Sequence, residues 1–340
     1  MENRQIVLAE RPRGLVDAST TTLVVTPRPV PAEGEALIKV GLLSIDPTIR
    51  TWMDDAPGYM PAIQLGEVIR SGGTGVVVES KTPRLEVGDV VFGMTGWQEW
   101  AIASDANRFA VLPKGLGLDL ATVMNVLGVT GITAYFGVLD VGQLKDGDVV
   151  VVSGAAGATG SVAGQVAKAR GAKKVVGIAG GAQKCLEVVE RFGFDECLDY
   201  REEHLRRRLR AACPDGVDLY FDNVGGAILD DVLANLAMRA RIVLCGAISQ
   251  YSATERYGLE NTASLITRRA RMEGFLVFDY TPRYDEARAA LAVMVATGQL
   301  HHQEHVVAGL EHAPDALNLL FSGENHGKTL VSVDESVLLG

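Results

Sequence analysis

The sequence has few of the features that mark a disulfide-rich, zinc-bound or membrane protein. Four cysteines occur in 340 residues, and their positions (185, 197, 213 and 245) match neither a zinc motif nor a disulfide framework. No apolar run approaches the roughly 20 residues that span a bilayer, and the start, MENRQIVLAERPRG, lacks the layout of a signal peptide. We therefore expect a cytoplasmic protein that does not bind membranes.

Positive charge is also scarce. The chain has 32 Lys and Arg against 42 Asp and Glu, a formal net charge of -10, which argues against nucleic-acid binding. The arginine-rich run REEHLRRRLR is more typical of a solvated amphipathic helix. His301, His302 and His305 lie together without cysteines at ligand spacing, so we interpret them as a solvated turn and predict no metal site.

Hydrophobic patterning divides the chain into a β-rich start and an alternating middle. Short β-rich runs such as EALIKVGLLSID and GTGVVVES, separated by glycine and proline, are typical of a barrel or sandwich. From about Val123, apolar strands alternate with helical stretches, which predicts a parallel, doubly wound sheet. Within this region ATVMNVLGVTGITAYFGVLDVG (121–142) reads as one helix and MEGFLVFDY (272–280) as the last strand. The tail returns to strand, helix, strand.

A glycine-rich turn follows the first strand of the alternating region. The segment VVVVSGAAGATG leads from a β-branched strand into a helix, with Gly154, Gly157 and Gly160 spaced three apart. Because glycine lacks a side chain, a phosphate can approach the backbone, and the helix N-terminus offers N–H groups to a pyrophosphate. A tight turn without ligand is the alternative. The strand–helix–strand context favours a dinucleotide site.

The end of the second strand indicates which dinucleotide binds. NAD sites usually place an acidic residue here to hold the ribose 2′-hydroxyl, whereas this strand ends GIAGGAQK, with Gly180 and Gly181 at that point. The absence of a carboxylate permits a 2′-phosphate, which Lys184 could bind, with Tyr200 near the adenosine and Arg201 as a second cation. Lys184 could equally be a surface lysine. Together these residues predict NADPH rather than NADH.

Seven segments, in order along the whole chain, resemble one family. They are DPTIR at 46–50, GVTGITAYFGVLDVG at 128–142, GAAGATGSVAGQVAK at 154–168, YFDNVGG at 220–226, LCGAISQY at 244–251, RMEGF at 271–275 and GENHGKT at 323–329. The sequence is similar to the zinc-independent, NADPH-dependent alkenal or one double-bond reductases of the medium-chain dehydrogenase/reductase superfamily. This group includes prostaglandin reductases and bacterial curcumin reductase. FDNVGG followed by CGAIS is specific to it, and the glycine turn alone is not.

The resemblance implies an α/β protein of two domains. Residues 1–122 and 303–340 would form a GroES-like β-rich catalytic domain, and residues 123–302 a Rossmann NADPH-binding domain inserted between them. It also implies a homodimer, for which the residues give no independent indication.

The resemblance and the chemistry of zinc together indicate a metal-free reaction. Zinc alcohol dehydrogenases of the superfamily need cysteines and a histidine–glutamate pair, but LLSIDPTIR has no cysteine and Glu67 has no histidine before it. The expected reaction is hydride transfer from NADPH to the β-carbon of an α,β-unsaturated aldehyde or ketone. The protein must then offer hydrogen-bond donors to the carbonyl oxygen, where negative charge develops.

Tyr251 is the candidate donor to that oxygen. It follows a strand, so we expect it at the carboxyl edge of the sheet, where ligands bind; a loop tyrosine bonded to the backbone or to water is the alternative. Asn223 either lies near the nicotinamide ribose, as the resemblance implies, or forms an Asx turn. Phe275 belongs either to the carboxamide site or to the sheet core. The predicted cofactor-binding residues are Gly154, Ala156, Gly157, Ala158, Thr159, Gly160, Gly180, Lys184, Tyr200, Asn223, Cys245, Gly246, Ser249, Tyr251, Phe275, Val277 and Asn325.

The substrate side departs from the family pattern. Plant and animal double-bond reductases usually read DPYMR, with an aromatic residue in the pocket, where this chain has Thr48 and Ile49. The predicted substrate-binding residues are Thr48, Arg50, Trp52 and Tyr59, with Tyr59 as a candidate pocket wall. The leading interpretation is an NADPH-dependent 2-alkenal/2-alkenone reductase. The alternatives are an NADPH:quinone reductase and a catalytically silent NADPH-binding regulatory or structural protein.

Overall fold

The computed structural model describes residues 1–107, 109–112 and 118–334, and the chain forms two compact units. Unit 1 comprises Met1–Met124, Glu304–Asn325 and a segment that starts at Thr329, and unit 2 comprises Asn125–Gln303 and His326–Lys328. Residues 335–340 of the predicted catalytic segment lie outside the described residues.

Strands and helices are numbered in chain order. The strands are β1 (Glu2–Leu8), β2 (Thr21–Pro27), β3 (Ala36–Ser44), β4 (Gly73–Ser80), β5 (Val90–Gly93), β6 (Trp100–Ala103), β7 (Ala110–Val111), β8 (Val149–Ser153), β9 (Lys174–Ala179), β10 (Glu196–Asp199), β11 (Val217–Asp222), β12 (Leu236–Leu244), β13 (Arg271–Gly274), β14 (Glu304–Ala308) and β15 (Lys328–Ser332). The α-helices are α1 (Thr48–Trp52), α2 (Leu120–Asn125), α3 (Val129–Phe136), α4 (Ala158–Ala169), α5 (Ala182–Glu190), α6 (Leu205–Ala212), α7 (Gly226–Leu233), α8 (Ile248–Tyr251), α9 (Ala263–Arg268), α10 (Tyr284–Ala296) and α11 (Ala313–Ser322).

Unit 2 is built on a six-stranded sheet with the order β10-β9-β8-β11-β12-β13, and every neighbouring pair is parallel. Counted within the unit, this order is 3-2-1-4-5-6, the arrangement of dinucleotide-binding folds. The order reverses between β8 and β11, so the crevice at the carboxyl ends of these two strands is the expected ligand position. The predicted α/β fold with a doubly wound parallel sheet is confirmed.

The centre of this sheet explains the run of valines in the sequence. Val150, Val151 and Val152 of β8 are fully buried, as expected for a strand covered by helices on both faces. On one face, α4 approaches closely because Gly164 has no side chain; a Cβ there would lie 1.9 Å from the ring of Phe194. The glycine thus lets α4 pack against Phe194, in the segment between α5 and β10.

Unit 1 is β-rich, as predicted. A seven-stranded sheet has the order β14-β15-β3-β4-β5-β7 with β6 also paired to β3, and β1 and β2 form a separate antiparallel pair. Strand β15 from the end of the chain pairs antiparallel with β3, so both chain regions contribute to one sheet. Its core is apolar and includes the fully buried Trp97, Ile38 and Leu43.

The stretch at 121–142 is not one helix, which corrects the prediction. Helix α2 ends at Asn125 and α3 starts at Val129, followed by a π-helical turn over Gly137–Val141. The Thr130 hydroxyl donates to the carbonyl of Asn125 at 2.8 Å, and a Cβ at Gly131 would lie 1.8 Å from the carbonyl oxygen of Val126. The backbone therefore folds tightly at this break, and glycine at 131 is what makes room for it.

The last strand of unit 2 is also shorter than predicted. Strand β13 ends at Gly274, and Val277–Arg283 forms a 3-10 helix instead of continuing the strand. In this helix Tyr280 stacks on Phe136 with ring centroids 4.5 Å apart. The apolar character of the segment therefore reflects packing against α3 rather than a longer strand.

Across the described ranges, no helix combines the length and the apolar character required to cross a bilayer.

Candidate active site

The glycine turn at the end of β8 has the shape of a phosphate cradle. Gly154 has a φ of 60°, and the N–H of Gly157 donates to its carbonyl at 2.9 Å. A Cβ at Gly160 would lie 2.3 Å from that same carbonyl oxygen, so the turn excludes a side chain there. Helix α4 then starts at Ala158, and Thr159 is its second residue. The first N–H groups of a helix have no hydrogen-bond partner within the helix. These residues fit a pyrophosphate.

A segment from the end of the chain lies beside this turn. The N–H of Gly327 donates to the carbonyl of Ala156 at 3.3 Å, and His326 Nδ1 lies 3.2 Å from Glu187 Oε2 on α5. Gly327 has a positive φ, and a Cβ there would lie 2.0 Å from the Gln303 carbonyl oxygen. Neither His326 nor Gly327 is among the predicted cofactor residues, although both belong to the GENHGKT segment.

Asn325, the residue predicted from that segment, is buried and belongs to unit 1. The GENHGKT segment is thus divided between the two units: Asn325 belongs to unit 1, and His326–Lys328 belongs to unit 2.

The end of β9 is shaped by the two glycines where NAD sites place an acid. A Cβ at Gly180 would lie 2.9 Å from the ring and hydroxyl of Tyr200, so the missing side chain is what lets Tyr200 pack there. Gly181 has a φ of 96°, and its N–H donates to Asp199 Oδ1 at 2.9 Å. The same oxygen accepts the N–H of Arg201 at 2.9 Å. The Asp199 carboxylate therefore holds together the start of α5, which carries Lys184, and the turn after β10, which carries Arg201.

Lys184 lies in the first turn of α5 and is half-buried. Burial lowers the pKa of its ammonium group, and the neighbouring charge of Arg201 lowers the pKa further, while Glu187 opposes both. Within the described residues the Lys184 ammonium forms no hydrogen bond and no ion pair. A desolvated cation next to a second cation gains strongly from an added anion, which fits a 2′-phosphate.

Asp222 organises the carboxyl end of β11, and sequence reasoning missed it. Its side chain is fully buried, and its Oδ1 accepts the Ser153 and Tyr220 hydroxyls at 2.7 Å each. The same carboxylate accepts the N–H of Val224 at 3.0 Å and that of Gly225 at 3.1 Å. Burial raises the pKa of Asp222, and these donors oppose the shift. Asp222 is the aspartate of FDNVGG and directly precedes the predicted Asn223, so the motif itself could have indicated it.

Asn223 connects β8 and β11 at the switch point, where the strand order of the sheet reverses. Its Nδ2 donates to the Ser153 carbonyl at 2.7 Å, and its backbone N–H donates to the Ser153 hydroxyl at 2.9 Å. The side chain thus spans from β11 to β8 instead of forming an Asx turn. This contact places Asn223 directly beside the glycine cradle, where a Cβ on Gly154 would lie 3.4 Å from the Asn223 Cβ.

The neighbouring end of β12 is held by backbone bonds to the same aspartate. The N–H groups of Cys245 and Gly246 donate to the Asp222 carbonyl at 2.9 and 3.0 Å. The Ser249 hydroxyl donates to the Val224 carbonyl at 2.7 Å. Burial, followed by the charge of Asp222, raises the pKa of the Cys245 thiol to about 12, so this cysteine stays protonated near neutral pH.

Tyr251 ends the short helix α8 at this same edge of the sheet. Its hydroxyl oxygen accepts the N–H of Ala247 at 3.0 Å, and a Cβ on Gly246 would lie 3.2 Å from that oxygen. Tyr251 lines a cavity of about 340 Å³ together with Asp222, Gly246 and Tyr257. The accepted bond fixes where the phenol oxygen lies, and a phenol that accepts one hydrogen bond retains its own proton to donate.

Phe275 and Val277 are packed within unit 2. A Cβ on Gly137 would lie 2.8 Å from the Phe275 ring, and the ring meets Tyr280 edge-on at 6.3 Å. Val277 is buried, and its carbonyl accepts the Tyr284 hydroxyl at 3.2 Å. The Phe275 side chain therefore has a packing role, and only its backbone groups are suited to a carboxamide.

In unit 1, two hydroxyl groups meet where the family pattern would have one aromatic residue. Thr48 Oγ1 lies 2.5 Å from the Tyr59 hydroxyl, and Tyr59 meets the buried Trp52 ring edge-on with centroids 6.2 Å apart. Burial raises the pKa of the Tyr59 phenol, so it is protonated at neutral pH. Tyr59 belongs to a loop that lines a cavity of about 540 Å³ over residues 55–64.

Arg50 does not fit its predicted role. Its side chain is buried, and the guanidinium donates to the Gly14 carbonyl at 2.6 Å, to Asp54 Oδ1 at 2.7 Å and to the Pro12 carbonyl at 3.2 Å. All three nitrogens are thus engaged by the chain itself. The arginine of DPTIR anchors the loop between β1 and β2 to α1, and a substrate contact is not proposed for it.

In the part of the chain that the structure describes, no group of three or more His, Cys, Asp or Glu side chains is arranged to hold a metal ion. The Glu67 carboxylate accepts the N–H of Gln64 at 2.8 Å.

Comparison with protein families matches both halves of the chain. Residues 4–111 match a family described as the N-terminal domain of oxidoreductase. Residues 158–295 match one described as zinc-binding dehydrogenase.

Named relatives match over almost the full length. The chain is 40% identical to the NADP(+)-dependent 2-alkenal reductase of Nicotiana tabacum, with 98% of each chain covered. It is 39% identical to the NADPH-dependent curcumin reductase of Escherichia coli, with 97% of each covered. The crystal structure of CurA from Vibrio vulnificus in complex with NADPH is 41% identical, with a TM-score of 0.91 over 97% of this chain and 99% of that one.

Proposed function

The chain belongs to the NADP-dependent alkenal and double-bond reductase family of the medium-chain dehydrogenase/reductase superfamily, and we propose that it reduces the carbon–carbon double bond of α,β-unsaturated aldehydes and ketones. NADPH supplies the hydride, which goes to the β-carbon of the substrate. The observation that carries this function is the half-buried Lys184 beside Arg201, next to two glycines where an NAD-binding carboxylate would be.

Different residues of unit 2 bind different parts of the cofactor. The backbone from Gly154 to Gly160 binds the pyrophosphate at the start of α4, and Lys184 with Arg201 binds the 2′-phosphate. Tyr200 covers the adenosine side, packed over Gly180. Asn223 lies at the switch point, where the nicotinamide ribose of a dinucleotide binds.

Tyr251 stabilises the charge that develops on the substrate. Hydride addition to the β-carbon moves electrons to the carbonyl oxygen, and a donor placed there in advance lowers the barrier. The bond from the Ala247 N–H holds the phenol oxygen of Tyr251 in position. The Tyr251 O–H then donates to the enolate oxygen.

In unit 1, Thr48 and Tyr59 are the proposed substrate contacts. The phenol that the family carries within DPYMR is here supplied from a different part of the chain, because Tyr59 places its hydroxyl on Thr48. The Trp52 ring contacts the Tyr59 ring edge-on and helps to hold it in place.

We propose that no metal takes part. The match to a family described as zinc-binding concerns the fold of residues 158–295, whereas LLSIDPTIR has no cysteine and Glu67 has no preceding histidine. A catalytic zinc site needs three protein ligands, and these positions do not provide them.

We further propose that the protein is a homodimer in the cytoplasm. The dimer is supported by the family resemblance alone. The cytoplasmic location is supported by the sequence alone, whose four cysteines match no disulfide framework.

The experiment that tests the function measures NADPH oxidation with a 2-alkenal, a 2-alkenone and a quinone in parallel, with product masses determined. The expected result is the saturated carbonyl product at rates well above that of the quinone, unchanged by a zinc chelator. Activity on the quinone alone would support a quinone reductase. Binding of NADPH without turnover of any enal or enone would support a non-catalytic role.

A further inference from the structure

Two cysteines that are 12 residues apart in the sequence meet in the fold. Cys185 lies on α5 and Cys197 lies on β10, the edge strand of the parallel sheet. Their sulfur atoms are 3.0 Å apart, and both residues are half-buried rather than fully enclosed. The spacing of the cysteines along the chain does not indicate this pair.

The two thiols have different acidities because they share one hydrogen bond. The Cys197 thiol donates to the Cys185 sulfur, which lowers the pKa of Cys185 and raises that of Cys197. A thiolate next to a protonated thiol is the arrangement that reacts with oxidants and then closes to a disulfide. The other two cysteines lack it: burial raises the pKa of Cys213 to about 11 and that of Cys245 to about 12.

A disulfide between the two cysteines needs only a small closing motion. It requires a sulfur–sulfur distance of about 2.05 Å, so the sulfur atoms must approach by about 1 Å. On the neighbouring strand, a Cβ on Gly177 would lie 3.3 Å from the Cys197 sulfur, 2.8 Å from Val188 Cγ1 and 2.9 Å from the Ala155 Cβ. The absence of a side chain at Gly177 thus lets Cys197 pack closely at this point.

Both cysteines are directly connected to the proposed 2′-phosphate site. Cys185 follows Lys184 in the first turns of α5, and its N–H donates to the carbonyl of Gly181. Cys197 lies two residues before Asp199, whose carboxylate holds the N–H groups of Gly181 and Arg201. A bond between α5 and β10 would therefore join the two elements that position Lys184 and Arg201.

We propose that Cys185 and Cys197 form a reversible disulfide on exposure to a hydroperoxide and that this disulfide weakens binding of the 2′-phosphate of NADPH. The inference rests on the proposed NADPH site. The Cys185 thiolate attacks the peroxide oxygen to give a sulfenic acid and, with a hydrogen peroxide probe, one water. The Cys197 thiol then displaces hydroxide from that sulfur, which forms the disulfide and a second water. A dithiol reductant reverses the reaction.

The test treats the full-length protein with hydrogen peroxide, blocks remaining thiols by alkylation and digests with trypsin under non-reducing conditions. The expected product is a cross-link between the peptides CLEVVER (185–191) and FGFDECLDYR (192–201), with two of the four thiols lost. Calorimetric titration should show that affinity for NADP⁺ falls about tenfold, the effect of losing one charge-assisted hydrogen bond. Affinity for NAD⁺ should change much less, and dithiothreitol should restore the reduced values.

Matched variants separate this effect from general oxidation. Cys185→Ser and Cys197→Ser should each abolish both the cross-link and the loss of NADP⁺ affinity, whereas Cys213→Ser should retain both. The proposal is overturned if peroxide yields no Cys185–Cys197 cross-link, if the cross-link leaves NADP⁺ affinity unchanged, or if Cys185→Ser loses affinity like the wild type. A reduced protein that fails to bind NADP⁺ would instead overturn the proposed cofactor itself.

Discussion

The hydroxyl oxygens of Thr48 and Tyr59 lie 2.5 Å apart, in hydrogen-bond contact. Thr48 occupies the place in DPTIR where the family pattern has an aromatic residue, and Tyr59 comes from the following loop. Burial raises the pKa of this phenol, so it remains a donor at neutral pH. The chain therefore has a phenol at this point of the fold, and Tyr59 supplies it instead of a residue of the DPTIR segment.

Removing the phenol should weaken substrate use without affecting the cofactor. In Tyr59→Phe we expect kcat/KM for enones to fall about three- to tenfold, the range for a lost neutral hydrogen bond of 0.5–1.5 kcal/mol. The KM for NADPH should stay the same. Because Thr48 and Tyr59 are bonded to each other, Thr48→Ala combined with Tyr59→Phe should cost less than the sum of the single changes. Additive losses in steady-state kinetics would show that the two hydroxyls act independently.

Lys184→Ala should change coenzyme preference. We expect the KM for NADPH to rise at least about tenfold through loss of a charge-assisted bond to the 2′-phosphate, and the KM for NADH to stay nearly constant. Gln183→Ala is the matched control, since Gln183 is the preceding, exposed residue of the same helix turn. Equal effects of Lys184→Ala on both coenzymes would remove Lys184 from the phosphate site.

Tyr251→Phe should lower turnover and leave coenzyme affinity intact. We expect kcat for enones to fall about 10²-fold, the scale of losing one donor to a developing oxyanion. The variant also leaves the Ala247 N–H without its acceptor, so thermal unfolding should be measured alongside the kinetics. Tyr257→Phe is the control, because Tyr257 lines the same cavity and is exposed. Full activity in Tyr251→Phe would exclude the proposed role.

Gly160→Ala should disrupt the glycine turn. The added Cβ would lie 2.3 Å from the Gly154 carbonyl oxygen, so the turn must open and NADPH affinity should fall by an order of magnitude or more. Gly258→Ala is the control, since a Cβ there meets no atom within 4 Å. The measurement is NADPH binding followed by fluorescence, and wild-type affinity in Gly160→Ala would contradict the assigned cradle.

The four thiols should differ in their reaction with iodoacetamide as the pH is raised. The hydrogen bond from Cys197 lowers the pKa of Cys185, whereas burial raises that of Cys213 to about 11 and that of Cys245 to about 12. Because the thiolate is the reactive form, brief alkylation at pH 7 to 8 should label Cys185 first. Peptide mass spectrometry gives the order directly. Faster labelling of Cys213 would contradict these acidities.

The parts of the fold that sequence could predict are those set by local pattern. The buried valines of β8, the glycine turn and the small residues of α4 are adjacent in the chain, so they indicate a strand, a cradle and a helix without tertiary information. The break between α2 and α3 was not predictable in this way, because it depends on the fit of Gly131 against the Val126 carbonyl.

The site residues that sequence reasoning missed are those defined by long-range packing. Asp222 acquires its role from Ser153 on β8, and Cys185 meets Cys197 only because α5 packs against β10. Arg50 is the opposite case, because its motif predicted a substrate contact that the structure does not support. Its carbonyl partners lie 36 and 38 residues earlier in the chain, a distance that no motif expresses.

Hydride transfer from NADPH to the β-carbon of an enone can be followed with NADPH that carries two deuterium atoms at C4 of the nicotinamide, so that either face delivers the label. Mass and NMR analysis of the product should find one deuterium at the β-carbon of the saturated carbonyl compound. Deuterium at the carbonyl carbon of an allylic alcohol, or none in the product, would contradict this reaction.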